Sequence, residues 1–188
     1  MKCFLSLLFL LAVISTQAQR DVPDLDKSPM DMSYWPAGYP HLKMEGKAKT
    51  MPVARVIYSR PFKNNRTLFG DVIPYGQVYR LGANEAAEIE FFSNVKIGGK
   101  LVSKGRYTMY YVVEKDKWTI IINRDNYSWG AFTYKSDKDV VRKDIPIEHV
   151  NDPSEVFTMY FTKADSNGAS LVMLWDDIKA VLPITLVK

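Results

Sequence analysis

Three arginines, Arg60, Arg66 and Arg80, fall within residues 59–85, a stretch that also carries Asp71, Asn84 and Glu85. A guanidinium presents a planar fork of donors that fits a carboxylate, a phosphate or a pair of sugar hydroxyls, and amide and carboxylate side chains beside it supply acceptors. Tyr75 in the same stretch, and Trp129 in the run Asn126-Tyr127-Ser128-Trp129-Gly130, add aromatic faces of the kind on which sugar rings stack. The expected ligand-binding set is therefore Arg60, Asp71, Tyr75, Arg80, Asn84, Glu85 and Trp129, and the expected ligand is a glycan or a small anion. The same residues have a plainer use. Arginines and carboxylates can pair with one another to pin down a long loop, and a Trp that opens a strand is more often buried than presented.

Catalysis has thinner support. Asp71, Glu85 and Glu88 are the candidates for a carboxylate pair that would hydrolyse an envelope polymer, but a chain with 21 acidic residues supplies such pairs by default. No Gly-x-Ser-x-Gly nucleophile motif occurs, and the one cysteine is Cys3, close to the chain start. The two histidines, His41 and His149, are far apart and in no ligand spacing, so neither a metal site nor a cofactor is expected.

These side chains need a scaffold, and the texture of the chain from residue 53 onward is that of successive strands. Short segments rich in Val, Ile, Tyr, Phe and Thr alternate with clusters of Gly, Asn, Asp and Lys. Strands are expected at 53–58, 87–92, 106–113, 118–123, 131–134, 155–162 and 171–175, with shorter ones at 78–81, 95–97, 140–145 and 184–187. Alternation turns Ile89 and Phe91 inward and Glu88 and Glu90 outward, whereas residues 107–113 are apolar on both faces and so belong at the centre of a sheet. Gly98-Gly99 reads as a two-residue hairpin turn, and residues 114–117 and 165–168 as two more. The fold class expected is all-β: an antiparallel two-sheet sandwich, jelly-roll-like, with a closed barrel as the alternative. No helix of three turns is expected, although residues 176–181 could form one turn.

Residues 1–18 have the layout of a cleavable secretion signal: Lys2, an apolar run over 4–14 broken only by Ser6, then Ser15-Thr16-Gln17-Ala18. A bilayer span takes roughly 20 apolar residues, so this run is too short for an anchor, and no transmembrane segment is expected after cleavage. Residues 19–45, with Pro23, Pro29, Pro36 and Pro40, read as an extended N-terminal arm rather than a helix, and residues 46–188 as a single β domain. Removing Lys2 takes the formal charge from +4 to +3, too mild to point to nucleic acid. The excess is local: seven cations lie within residues 43–66 against Glu45, which suits a solvated sheet edge or an anion-facing surface.

Several of these pieces, taken together and in order, resemble a known family. They are Tyr58-Ser59-Arg60-Pro61, Phe69-Gly70, Pro74-Tyr75-Gly76, Tyr79-Arg80-Leu81-Gly82-Ala83-Asn84-Glu85-Ala86, Gly98-Gly99-Lys100, Gly105-Arg106-Tyr107, Trp118-Thr119 with Asn123, Trp129-Gly130, and Asp139-Val140 with Arg142. The chain is similar, over residues 43–188, to the exported bacterial family catalogued as domain of unknown function 2911, with Tyr79 where that family favours Trp. The resemblance implies a periplasmic or secreted protein of a Gram-negative bacterium and supplies no activity. The expectation is a non-catalytic binding module of the cell envelope. Two alternatives stand beside it: a hydrolase using a carboxylate pair, and an assembly module whose arm, with Tyr34, Trp35 and Tyr39, adds to a partner.

Overall fold

A computed structural model describes residues 22–163 and 167–187. The expected secretion signal lies outside them, as do Asp165 and Ser166 of the expected last turn. Ten strands follow in order: β1 (Met30–Trp35), β2 (Ala54–Ser59), β3 (Val78–Arg80), β4 (Glu88–Phe91), β5 (Val95–Ile97), β6 (Lys100–Val102), β7 (Gly105–Val113), β8 (Lys117–Asn123), β9 (Asp139–Lys163) and β10 (Gly168–Leu186). One short helix, α1 (Tyr39–Met44), follows β1. The chain is thus nearly all β, as its composition of strand formers requires.

The ten strands pair with one another antiparallel, in the order β1-β2-β4-β7-β8-β9-β10-β5-β6, with β3 pairing β7 beyond the end of β4. The path has two open ends, β1 and β6, and does not close, so the barrel alternative is set aside. β7 is central, flanked by β4 and β3 on one side and β8 on the other, and its residues 107–111 are all buried. The alternation read for β4 holds, with Ile89 and Phe91 buried and Glu88 and Glu90 half-buried. Gly98 and Gly99 join β5 to β6 with φ of 57° and 82°, backbone that a residue with a Cβ adopts only at a cost.

β9 is the element that gives the sheet its shape. At about 3.3 Å per residue a strand of 25 residues would run roughly 80 Å, about twice the width of a domain this size. It must therefore bend and change partners. Its first part pairs with β8 and its later part with β10, and breaks in register at Leu174/Asp176 and Asp176/Ile178 mark the bend. Across the core, Tyr58 of β2 meets Phe157 of β9 edge-on at 5.8 Å, and Phe157 tilts against Trp175 of β10 at 5.5 Å. Trp35 of β1 lies against Phe161.

Three local expectations change. Within the segment read as an N-terminal arm, β1 pairs along the whole of β2, and Pro40 sits in the first turn of α1, where a missing N–H costs nothing. Residues 131–134 are a turn: Gly130 has φ 61°, and the Tyr134 backbone N–H bonds to the Ala131 carbonyl instead of to a neighbouring strand. Residues 176–181 continue β10. Among the described residues no helix is long and apolar enough to cross a membrane.

Candidate ligand site

The topology sorts the seven expected ligand-binding residues into three places. Arg60 is committed inside the fold. It ion-pairs with Asp31 at 3.0 Å and donates to the Thr158 hydroxyl at 2.9 Å and the Phe157 carbonyl at 3.3 Å, tying β1 to β9. That is the internal arginine–carboxylate contact weighed as the plainer use. Tyr75 lines a polar cavity beside the loop that joins β2 to β3, and Asp71, exposed in the same loop, lines neither this cavity nor the cleft described next.

Arg80, Asn84, Glu85 and Trp129 come together. β3 pairs β7, which sets Arg80 opposite Tyr110. The loop after β8 then returns to residues 84–86: the Ala86 N–H donates to the Ser128 carbonyl at 3.0 Å and the Gly130 N–H to the Asn84 carbonyl at 2.9 Å, bridging Glu85 to Trp129. The Asn84 amide reaches Asp26 at 2.8 Å. A Cβ on Gly130 would stand 2.8 Å from the Phe132 ring and 3.4 Å from Arg80 Nη1, so glycine here admits Phe132 and Arg80 to the same spot.

The loop presents its aromatics instead of burying them. Tyr127 is 79% exposed, Trp129 59% and Phe132 82%. Trp129 is therefore not the core residue that its place at a strand start suggested. Tyr127 holds φ 63°, a conformation that a bulky side chain adopts at a cost of about 1–3 kcal/mol. It is kept there by its N–H donating to Glu88 at 3.2 Å and by the Arg106 guanidinium 5.8 Å over its ring. The far end of the loop is anchored by a closed network. Tyr134 and Arg142 both donate to Asp139, at 2.6 and 2.8 Å, and Asn123 donates to its other oxygen at 2.7 Å. Burial first, then the Asp139 carboxylate, raises the Tyr134 phenol above its usual value, so it stays a neutral donor.

Beside these aromatics lies a cleft of about 430 Å³, walled by Met30, Ile57, Ala86 and Tyr127 and carrying Glu85 and Glu88. Glu88 is engaged by Tyr127 and by Arg106 at 3.6 Å, whereas Glu85 is exposed. Arg80 is the unusual member. The half-buried arginines Arg55, Arg60 and Arg106 each face a carboxylate, Glu90, Asp31 and Glu88 respectively. Arg80 has none among the described residues; its Nε is enclosed without a partner, and its guanidinium rests 5.3 Å over the Tyr79 ring. The cleft thus offers one aromatic face, Tyr127, and an exposed acceptor, Glu85, while Arg80, Asn84 and Trp129 stand outside its lining on the adjoining strand and loops.

Met30 and Ile57 were not legible as cleft walls, because only the β1–β2 pairing brings them there. The third aromatic group also resolves: Trp35 packs on Phe161, and Tyr39 is buried, stacks on Tyr34 at 5.9 Å and donates to the Thr50 carbonyl, so the aromatics proposed to reach a partner are engaged within the chain.

Residues 40–184 match the model of a family described as Protein of unknown function (DUF2911). No curated protein and no solved structure matches the chain.

Proposed function

The chain belongs to the DUF2911 family, whose description assigns no activity, and we propose that it is an exported, non-catalytic binding module of the cell envelope whose ligand is an acidic glycan. The observation that carries this reading is Arg80, a half-buried cation that faces no carboxylate among the described residues and meets the exposed Phe132 at Gly130, in the loop that also presents Tyr127 and Trp129. A carboxylate bound at the terminal nitrogens of the guanidinium would supply the counter-charge that Arg80 lacks among the described residues. Trp129 serves as the stacking platform, Asn84 and Glu85 take sugar hydroxyls, and Arg80 takes the uronate. Export rests on the layout of residues 1–18. The accompanying view of the fold is a jelly-roll-like sandwich, a sheet doubled on β9, supported by the Tyr58–Phe157 and Trp35–Phe161 contacts across the core.

Glu85 and Glu88 share the cleft, which favours the hydrolase as a second reading, with Asp71 no longer part of it. Glu88 is already held by Tyr127 and Arg106, leaving one free carboxylate where hydrolysis needs two. Calorimetric titration with trigalacturonic acid and with its methyl ester separates these readings. Binding of the acid, weaker for the ester, lost in Arg80→Ala and unaccompanied by cleavage supports the module. Equal binding of acid and ester refutes the role given to Arg80, and cleavage lost in both Glu85→Gln and Glu88→Gln replaces the module with the hydrolase.

A further inference from the structure

We infer that the cavity of about 480 Å³ between the β2–β3 loop and the bend of β9–β10 is a second ligand site, for small organic anions with an aromatic or apolar body. It shares no lining residue with the cleft, so it does not rest on the reading of that cleft.

The site is built by two departures from regular structure. The first is the loop. Its start is fastened to β9 by the Lys63 and Asn64 N–H groups, which donate to the carbonyl and side chain of Glu155 at 2.7 and 2.8 Å. Its middle is anchored by Leu68 and Ile73, each 1% exposed. The second is the bulge at Asp176, which holds φ 54° within β10. Successive residues of a regular strand face opposite sides; here Asp176, Asp177 and Ile178 all line one cavity, the re-aiming that bulges produce.

The lining then states what it can hold. Leu68, Phe69, Trp118, Ile147 and Ile178 supply apolar surface, and Tyr75, 42% exposed, adds a ring. Each acidic group already has a basic partner: Asp176 has Lys63 at 2.6 Å, Asp177 has His149 at 2.6 Å, and Glu114 has Lys117 at 3.4 Å. Two lining cations remain without a carboxylate. Arg66 is pre-set by Nε and Nη2 donating to the Lys63 and Phe62 carbonyls at 2.9 and 2.6 Å, and among the described residues neither its Nη1 nor Lys115 has a partner. A pocket that joins apolar surface to two cations without a carboxylate selects a carboxylate or phosphate attached to a flat apolar group, because either part alone forfeits half of the contacts.

The test titrates the purified protein with phenyl phosphate, inorganic phosphate and benzyl alcohol, followed by NMR. Phenyl phosphate should saturate, moving resonances of Tyr75 and Trp118, with the other two probes at least tenfold weaker. Arg66→Ala also removes two loop bonds, so Lys115→Glu, at an exposed residue with no partner among the described residues, carries the test and should weaken binding at least tenfold. Arg80→Ala should leave it unchanged. The inference is overturned by non-saturable binding, by benzyl alcohol binding as tightly, by full affinity in Lys115→Glu, or by equal loss in Arg80→Ala.

Discussion

Arg80 and Arg60 are both half-buried arginines of the stretch that connects β2 to β4, and removing them should have unequal consequences for stability. Arg60→Ala deletes an ion pair and two further hydrogen bonds that join β1 to β9. At about 1.5–3 kcal/mol for a charged hydrogen bond, discounted for partial exposure, the loss is about 2 kcal/mol. Arg80→Ala deletes a contact with the Tyr79 ring, worth about 0.5–1 kcal/mol, and some stem packing. It also removes an enclosed donor that has no acceptor among the described residues, which returns about 1–3 kcal/mol. These terms oppose, so stability should stay within about 1 kcal/mol of the parent. Urea unfolding of both variants without ligand reads the difference directly as a shift in midpoint at unchanged slope. An Arg80→Ala protein destabilised as much as Arg60→Ala would show that Arg80 is structural and would refute the assignment of its free charge to a ligand.

Three further outcomes follow from the same geometry. Trp129→Ala, at a residue 59% exposed, should leave the unfolding midpoint unchanged and weaken acidic-glycan binding about tenfold, the scale of a lost aromatic contact of about 1–1.5 kcal/mol; calorimetry checks the second and urea the first. Phe157→Ala removes a ring that is 0% exposed and packed between Tyr58 and Trp175, and should cost about 3–5 kcal/mol in chemical denaturation. Ser59→Ala breaks both bonds of its buried hydroxyl, which donates to the Ala83 carbonyl and accepts the Ala83 N–H, each at 2.6 Å; an orphaned N–H and C=O should cost about 1–3 kcal/mol by the same assay.

The elements were legible where a local pattern decides them. The alternation of Glu88-Ile89-Glu90-Phe91, the glycine pair at 98–99 and the two-sided apolar run of β7 each imply their structure without reference to any distant residue. Residues 131–134 misled because Phe132 and Tyr134 have strand propensity, while their conformation is set by Gly130 and by the pull of Asp139 and Arg142 on the Tyr134 hydroxyl. The grouping of site residues was beyond local pattern altogether. Arg60 and Arg80 lie in one polar stretch, yet the chain between them makes the loop over the cavity, so one arginine ends on β9 and the other beside the loop after β8. His149 looked isolated for the same reason: its partner, Asp177, reaches it only through the bulged pairing of β9 with β10. Exposed polar segments say that a site is near, whereas long-range strand order says which residues share it.

The most direct test of the proposed glycan site is the NMR signal of the indole N–H groups as trigalacturonic acid is added. The protein has four tryptophans, of which Trp129 is 59% exposed while Trp118 and Trp175 are 1% and 3% exposed. The account predicts a saturable shift of the Trp129 indole with the buried pair unmoved, and loss of that shift in Arg80→Ala. A Trp129 signal that stays still at saturating acid, or that shifts as strongly in the Arg80→Ala protein, would contradict it.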